Sequence, residues 1–475
     1  MKRASLDLRA ASSFSSARRG ACRSWSDGMN TCTERMGILA KRNGTILIVL
    51  VLALAIMAAG CSGGQEGGQA DGQAGPAAEP VTITFYLPYA GDTATFMEQY
   101  GNAIVKKFPH VTIKTVHPPD TNVAGHLANV LSSQEPIDIF LNGDTNHYRY
   151  ITPFQYQYDL TAMIKTKGYD LSRLEPSTLE AVKALAPNGE IYALPLRMNV
   201  MSLLYNKDIF DKFGVPYPTD GMTWDEAYEL AKRVTRKEGD TQYRGFITQS
   251  YSIAWQNQLS LGFADPKTDK PLFYTDERWA QVVQNINRFY EIPGNALVEG
   301  SFTGINNLFY KTKVAAMYAA SIPGTAQEVN WDVVTLPEFS NLRGVGSQAS
   351  LTLAYIVSNS KHKEQAFDII AYMTSDEYQT EMAKKALGLP VIKTQSAKDA
   401  FGQDNPNLKG KNLKALTKNK PAAPFPQSPY QAITNNQLEK LWYQLGKGQL
   451  DVNTTLRMAQ ENALKEIEKL KASGQ

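Results

Sequence analysis

The sequence predicts an α/β fold, and three observations support this prediction. From residue 81 onward, β-branched and aromatic segments alternate with segments of helical periodicity, an order typical of a parallel sheet covered by helices. Residues 62–80 contain Gly, Gln, Ala and acidic residues but no aromatic residue, so the folded body begins sharply after them. The 415 residues from Cys61 to Gln475 are enough for two or three domains of ordinary size.

The N-terminal half of this body supplies the alternating elements. The pattern predicts long strands at residues 81–88, 111–117 and 137–143, helices at 95–109 and 122–134, and short strands at 191–196 and 202–206. Three strands separated by two helices are most simply arranged as neighbouring parallel strands.

The C-terminal half is richer in helices. Thr223 and Glu226 have the spacing of a capping box, which predicts a helix start. Thr374 and Glu377 have the same spacing within the helical stretch 363–385, so one helix is expected to stop there and another to start. The remaining elements are helices at 275–291 and at 452–473, and strands at 331–337 and 350–358.

The N-terminal region has the pattern of a secretory signal. Lys41 and Arg42 precede an uncharged aliphatic run, Thr45–Ala59, which is shorter than the roughly 20 residues that a membrane-spanning helix needs. Residues 36–60 are therefore predicted to be a signal peptide. Residues 1–35 are rich in Ser and Arg without apolar periodicity, so we expect an extension that is removed or not translated, with the true start at Met36, Met29 or Met1.

Cys61 directly follows this apolar run and precedes the glycine-rich segment. The residues "MAAGC" resemble the lipobox of bacterial lipoproteins, in which the cysteine receives lipid such as palmitate and becomes the first mature residue. The resemblance implies attachment to the extracellular face of the cell membrane through Cys61, whereas the alternative is a buried core cysteine. Residues 61–80 would then be a flexible tether with a root-mean-square reach of roughly 25 Å.

Charge and cysteine content exclude some functions. The first sixty residues contain nine Lys/Arg and three Asp/Glu, so the mature chain has 40 basic and 43 acidic residues and a net charge of −3. This balance does not predict a nucleic-acid partner. Cys22 and Cys32 precede the predicted cleavage point, which leaves only Cys61 in the mature chain and no partner for a disulfide within it.

The catalytic and cofactor motifs that we sought are absent from the sequence. None of the five histidines has the spacing of a metal site, and no nucleophile elbow or phosphate-binding loop is present. We therefore expect no metal, no cofactor and no ATP site, and predict that the protein is not an enzyme. A secreted glycoside hydrolase remains an alternative, since its two carboxylates need not be close in sequence, and a membrane-anchored adhesion module is another.

A series of motifs resembles the family 1 extracellular solute-binding proteins of ABC importers. The motifs are "YALP", "LLYNKDIFDKFG", "TWDEAYELAKRVT", "YKTKVAAMYAAS", "WDVVTLPE" and "LGLPV", followed by closing helices similar to those of maltose-binding-type proteins. The resemblance spans roughly residues 81–470. It implies a two-lobed periplasmic-binding-protein-like fold (type II) with a ligand cleft between the lobes, and a monomer that delivers a carbohydrate to membrane permease subunits.

The resemblance also suggests where the chain divides. We expect residues 81–196 and 334–373 to form lobe 1, and residues 197–333 and 374–475 to form lobe 2. Closure of two such lobes around a ligand is a hinge motion.

Ligand contacts are expected at strand ends and in the loops after them. A sugar site combines aromatic planes with a few placed polar groups. The candidates are Tyr86, Tyr89, Asp92, Asn142, Asp144, Arg197, Asn199, Trp255, Ser321 and Trp442. The alternative for the buried-type aromatics Tyr86, Trp255 and Trp442 is a place in the core, and for Asn142 and Asp144 a turn-forming role.

Two positions depart from the family pattern. Asn199 is an amide where maltose-binding-type proteins carry an acid, and Ser321 lies where many sugar binders have a stacking tryptophan nearby, so maltose itself is not predicted. The alternative solute is a polar compound such as glycerol phosphate, which would need several basic groups. Arg197 is the one cation among the candidates.

Overall fold

The computed structural model describes residues 79–88, 92–186, 188–297, 302–325 and 327–473. All of these belong to one compact unit, Pro76–Gln475. The predictions for the N-terminal extension, the signal peptide, Cys61 and Tyr89, and for the tether as far as residue 78, fall on residues outside the described ranges.

The described chain contains alternating strands and helices. The strands are β1 Val81–Tyr86, β2 Val111–Val116, β3 Ile139–Gly143, β4 Ala193–Asn199, β5 Ser202–Asn206, β6 Arg236–Glu238, β7 Thr241–Thr248, β8 Ala315–Ala320, β9 Trp331–Thr335, β10 Val345–Gln348, β11 Ser350–Ile356 and β12 Lys420–Ala422. The helices are α1 Thr93–Phe96, α2 Asn102–Lys107, α3 Val123–Ser133, α4 Thr161–Thr166, α5 Pro176–Lys183, α6 Lys207–Phe213, α7 Trp224–Val234, α8 Ser250–Trp255, α9 Arg278–Tyr290, α10 Phe302–Tyr310, α11 Lys363–Met373, α12 Asp376–Lys384, α13 Gln395–Asp399, α14 Ala415–Lys418, α15 Gln431–Gly446 and α16 Val452–Ala472.

The first sheet has the strand order β2-β1-β3-β11-β4. Strand β1 pairs in parallel with β2 and β3, as the alternation of strands and helices predicts. Strand β11 comes from much later in the chain and lies antiparallel between β3 and β4. The sheet is buried among aromatic and aliphatic residues, and Phe140 and Tyr355 are both fully buried. This arrangement is the core of lobe 1.

The second sheet has the order β6-β7-β8-β5-β9. Strands β7 and β8 are parallel, and β5 lies antiparallel between β8 and β9. Its core includes Trp279, Phe289 and Trp442, which are at most 1% exposed. Two mixed sheets with covering helices confirm the α/β class and form the two lobes.

The strand pairings place the lobe boundaries at positions that differ from the predicted ones. Strand β4 stays in the first sheet as far as Asn199, so the first chain crossing lies after residue 199 and not at 197. Strand β9 pairs with β5 throughout Trp331–Thr335, and a lobe 1 segment beginning at residue 334 would split it. The second crossing instead lies between β10 and β11, because β11 is the first later strand to join the first sheet.

The third crossing lies after residue 374, the predicted boundary. The Gln379 amide donates to the Leu196 carbonyl at 2.9 Å, and Leu389 and Met198 form a β-bridge, so residues 376–392 still pack on lobe 1. The Lys411 ammonium donates to the Trp331 carbonyl at 2.7 Å, on lobe 2. The chain therefore crosses for the third time between these two regions.

The predicted helix cap is correct at α7 and wrong at α12. Thr223 and Glu226 form the predicted capping box at α7. The predicted break between α11 and α12 is present, but Ser375 is the N-cap of α12 and accepts from the Tyr378 N–H. The Thr374 hydroxyl instead donates to the Ala371 carbonyl in the last turn of α11, so the second predicted capping box is wrong.

Candidate functional site

The two sheets face each other at the ends of their strands. Asn199 closes β4 opposite Ser350 of β11, while Ser202 opens β5 opposite Ala320 of β8. Only Val200 and Met201 separate β4 from β5, so these strand ends lie at the junction of the two sheets, where the family resemblance predicts the ligand cleft. Loops at strand ends are where open α/β sheets bind ligands.

Buried hydrogen bonds hold the hinge beside this cleft. The Met201 N–H donates to the Ser347 hydroxyl at 2.9 Å, which ties the first crossing to the strand before the second. The Gln348 amide donates to the Asn257 carbonyl at 3.0 Å and its oxygen accepts from the Phe425 N–H at 3.2 Å. Strand β10 also pairs with β12, so these segments are hydrogen-bonded to one another beside the first two crossings.

Three of the predicted site residues lie at the cleft edge. Asn199 is half-buried at the end of β4, and its side-chain amide makes no hydrogen bond within the described part of the chain. Ser321 directly follows β8 and is also half-buried. Asp144 directly follows β3, opposite Leu351, and is 7% exposed. Strand pairing brings these positions toward the first crossing: Asn199 pairs with Ser350, Asp144 accepts from the backbone of Leu351, and Ser321 follows the pair of Ala320 and Ser202.

Arg197 points away from this edge into lobe 1. Its Nε donates to the Thr352 hydroxyl at 3.0 Å and its Nη1 to the Leu387 carbonyl at 2.7 Å. A Cβ on Gly388 would lie 2.7 Å from the Arg197 Cβ, so glycine is required for this close approach. The guanidinium is thus committed to tying the "LGLPV" segment to the sheet.

The three predicted aromatic contacts lie in lobe cores. Tyr86 is fully buried, its hydroxyl pairs with the His126 Nδ1 at 2.9 Å, and burial raises its pKa. Trp255 is 6% exposed with its ring centroid 4.6 Å from that of Phe263, and Trp442 is 1% exposed. The structure therefore favours the core alternative for all three rings, because apolar ring surface is most stable away from water.

Asp92 has a local role at the surface. It is the exposed N-cap of α1, and its carboxylate accepts from the Thr95 N–H at 2.7 Å. This hydrogen bond lowers the pKa of the Asp92 carboxyl. Capping of this kind satisfies an orphan helix donor and needs no ligand.

A buried polar cluster extends inward from Asp144. The His147 Nδ1 lies 3.1 Å from the Tyr355 hydroxyl, and both rings are at most 2% exposed. Burial lowers the pKa of the His147 imidazole to about 4 and raises the pKa of the Asp144 carboxyl to about 7. Asn142, also fully buried, donates to the Asn146 carbonyl, but its Oδ1 has no described partner.

Two residues that the sequence did not single out are further candidates for ligand contact. Asn435 on α15 is 1% exposed, and neither polar atom of its amide has a partner in the described structure. Tyr251 is the second residue of α8, three residues after the end of β7, and is 41% exposed. The sequence could have indicated Tyr251, because an aromatic residue shortly after a predicted strand is a candidate ligand contact. It could not have indicated Asn435, because only burial in the folded chain distinguishes this amide from that of its exposed neighbour Asn436.

The described residues contain neither a cluster of metal-ligating side chains nor a membrane-spanning helix. No three His, Cys, Asp or Glu side chains of these ranges are grouped closely enough to hold a metal ion. Within the same ranges, every helix is too short or too polar to span a bilayer.

Two mixed α/β sheets joined by three chain crossings have the architecture of a hinged two-lobe binding protein. Residues 51–380 match the family of bacterial extracellular solute-binding proteins, and the chain belongs to that family. This membership confirms the resemblance drawn from the sequence motifs. Because the family consists of substrate-binding proteins, the chain is not an enzyme, and the glycoside-hydrolase alternative is wrong.

Related sequences match most or part of the chain. A putative binding protein of Brucella abortus is 23% identical over 402 residues, which cover 76% of this chain and 88% of the relative. A multiple sugar-binding protein of Streptococcus mutans is 27% identical over 162 residues, which cover 33% of this chain and 36% of the relative.

Solved structures share the fold at low sequence identity. An ABC substrate-binding protein from Listeria monocytogenes in complex with cycloalternan aligns with a TM-score of 0.64 and 17% identity, covering 82% of this chain and all of that chain. A solute-binding protein from Agrobacterium vitis with bound D-mannitol aligns with a TM-score of 0.56 and 21% identity, covering 82% of this chain and 99% of that chain. These similarities confirm the two-lobed architecture.

Proposed function

We propose that this protein is the substrate-binding lipoprotein of an ABC importer and captures a sugar or oligosaccharide by lobe closure. The observation that carries the proposal is the chemistry of the facing strand ends. Asn199, Ser350 and Ser321 present amide and hydroxyl groups across the hinge, and Tyr251 adds an exposed ring. Neutral donors and acceptors beside an aromatic plane suit the polar edges and apolar faces of a carbohydrate.

The similar proteins support the same class of ligand. The structural neighbours include complexes with cycloalternan, D-mannitol, maltose, mannotriose and ribitol, all uncharged polyhydroxylated compounds. The ligand of this chain is proposed to be of this kind.

A phosphorylated solute fits the cleft less well. A phosphate is bound most strongly by several cationic or bidentate donors. Arg197, the candidate cation, is already engaged with Thr352 and Leu387 on the far side of the strand. We therefore expect glycerol phosphate not to bind, and its inclusion in a ligand screen distinguishes a sugar site from a phosphate site.

Capture would proceed by rotation of the lobes about the three crossings. The ligand first contacts one wall of the cleft, and closure brings the second wall onto it and excludes water. The closed, loaded monomer would dock on permease subunits in the membrane, and a separate ATPase would supply the energy for transport.

A ligand screen tests this function. We expect at least one uncharged sugar or polyol to raise the unfolding temperature by several degrees, because ligand at about 100 times Kd adds about 2.7 kcal/mol to the folded state. The measurement is a thermal-shift assay of the processed full chain in a polyether detergent without a sugar head group. The panel is maltose, mannotriose, cycloalternan, D-mannitol, ribitol and glycerol 3-phosphate.

Variants locate the site in the same assay. Asn199→Ala and Asn435→Ala should lose most of the shift without unfolding, while Asn436→Ala, an exposed amide on the same helix as Asn435, should keep it. A shift with glycerol 3-phosphate alone would replace the sugar proposal by the phosphate one. Unchanged binding in both test variants would place the ligand elsewhere.

Lipid attachment is tested at Cys61. We expect Cys61→Ser to move the protein from the membrane fraction to the soluble fraction, because the proposed anchor is a lipid on that thiol. Ser62→Ala is the matched control, since it directly follows Cys61, keeps the thiol and should leave membrane attachment intact. Retention of Cys61→Ser on membranes, measured by fractionation and immunoblotting, would contradict the anchor.

A further inference from the structure

Residues 405–420, the lysine segment, carry a charge opposite to that of the rest of the mature chain. The segment contains five lysines and no acidic residue, whereas the remaining mature residues have a net charge of −8. It begins in the third chain crossing and continues along lobe 2 as far as the first residue of β12. A cationic segment on an otherwise anionic chain favours an anionic partner for this part of the surface.

Contacts beside β9 hold the lysine segment on lobe 2. Strand β9 is the last strand of the second sheet, and α14 packs next to it. The Asn412 N–H donates to the Asp332 carboxylate at 2.9 Å, and the Asn412 side-chain amide donates to the Asp220 carboxylate at 3.2 Å. At the other end of the segment, Lys420 pairs with Val345 of β10. These contacts use backbone and amide groups, so they leave the lysine ammonium groups available.

Four of the five lysines are exposed. Lys414 and Lys418 lie one helical turn apart at α14 and both are exposed, whereas Leu416 between them is 6% exposed. Side chains one turn apart share a side of a helix, so the buried side faces the lobe and the two lysines face water. Lys409 and Lys420, before and after this turn, are exposed as well.

Carboxylates compensate few of these charges. Lys418 lies 3.4 Å from the Asp220 carboxylate, which also accepts from the Thr335 N–H. The other three exposed lysines make no ion pair within the part of the chain that the structure describes. Lys411, the fifth lysine, turns inward, because its ammonium donates to the Trp331 carbonyl at 2.7 Å and lies 4.1 Å from the centre of that ring. The surface of the segment is therefore strongly cationic.

The residue type favours an extended anionic surface over a single bound phosphate. A phosphate in a defined site is bound best by the planar, bidentate guanidinium of arginine, and the lysine segment contains no arginine. Lysine is a mobile point charge on a long stem, which suits head groups that vary in position. Clusters of lysines are attracted to anionic lipid surfaces in this way.

We propose that the lysine segment is a contact surface for a membrane that contains anionic phospholipid. The proposal goes beyond the capture of a solute, and it relies on the proposed lipid on Cys61 to bring the chain to the membrane. Each exposed lysine near such a surface contributes a factor of about five to the binding constant. The 20 residues of 61–80 span about 70 Å at most, so a chain anchored at Cys61 can bring this surface to the bilayer.

Acetylation of lysines on vesicles tests this surface residue by residue. The sample is the processed full chain with vesicles of phosphatidylcholine, or of about one part phosphatidylglycerol to two parts phosphatidylcholine, lipids that contain no primary amine. We expect acetylation at Lys409, Lys414, Lys418 and Lys420 to be about fivefold slower on the anionic vesicles, measured by mass spectrometry. Lys465, exposed on α16, is the matched control and should react equally on both. In 1 M NaCl, where the screening length is about 3 Å, the protection should disappear.

A charge variant checks the cause of the protection. In the double variant Lys414→Glu and Lys420→Glu, the remaining Lys409 and Lys418 should lose their protection on anionic vesicles, because the added carboxylates are repelled by the lipid. Lys465→Glu should leave the protection unchanged. Protection of Lys409 that persists in the double variant would overturn the proposal.

Flotation of the same samples separates this proposal from the others. A chain that floats with both vesicles without protection of the lysine segment overturns the contact surface and leaves the lipid anchor standing. Flotation with the anionic vesicles alone, with protection, supports the surface and removes the anchor. Equal protection of Lys465 assigns the effect to the vesicle as a whole and overturns the proposal. Protection by soluble polyglutamate but not by anionic vesicles overturns it in favour of an acidic protein partner. Sugar capture is measured separately and is unaffected by any of these results.

Discussion

Replacing Trp442 by alanine is expected to lower the free energy of unfolding by about 3–5 kcal/mol. The indole is 1% exposed on α15 and packs in the core of lobe 2 with Leu438, Leu441 and Leu445. Truncation removes the buried apolar surface and leaves a cavity that the surrounding helices fill only in part. Urea unfolding followed by circular dichroism measures the change.

Two further variants make the Trp442 result specific. Gln444→Ala, an exposed position on the same helix, should change the free energy of unfolding by less than about 0.5 kcal/mol. Trp442→Phe should lose less stability than the alanine variant and bind the panel sugar normally. An alanine variant that is fully stable but no longer binds sugar would instead place this ring in the cleft.

Replacing His147 by asparagine is expected to remove the acid-dependent destabilisation that this imidazole contributes to the parent. Burial depresses the pKa of the folded imidazole to about 4, against an ordinary value of 6.5. The unfolded chain therefore binds the proton first, and the contribution present above pH 6.5 is lost as the pH falls toward 4. A depression of this size corresponds to about 3 kcal/mol.

The measurement is the difference in the free energy of unfolding between the parent and His147→Asn from pH 7.5 to pH 4. The parent should lose about 3 kcal/mol more than the variant over this interval. Tyr355→Phe removes the hydroxyl partner of the imidazole and should give a nearly constant offset of about 1 kcal/mol. A constant difference for His147→Asn would mean that the imidazole is not held neutral by burial.

Asp144 acts in the opposite direction over the same pH interval. A carboxyl whose pKa is raised by burial loses its contribution to stability as the pH rises from its ordinary range toward 7. The two neighbouring groups thus offset each other in the parent between pH 4 and pH 6.5. Their separate variants should reveal the two slopes, which a pH profile of the parent alone would hide.

The aromatic candidates show what the spacing of apolar residues can predict and what it cannot. The spacing of Leu438, Leu441, Trp442 and Leu445 predicted one apolar helix face, and the structure contains that face. Periodicity does not tell whether such a face meets another helix or a ligand, because both surfaces are apolar. Burial among the helices α8, α9 and α16 of lobe 2 decided that Trp442 lies in the core, and Tyr86 and Trp255 are likewise buried in their lobes.

The sequence by itself determined the local elements, the family motifs and the chemistry of the strand ends. These depend on neighbours within a few residues, such as the Thr223 capping box and the alternation that gives β1 to β3. Only the tertiary structure decided the chain crossings, because β11 inserts between β3 and β4 from more than 150 residues away. That insertion placed Asp144 against Leu351 and turned Arg197 toward Thr352, contacts that no local pattern in the chain encodes.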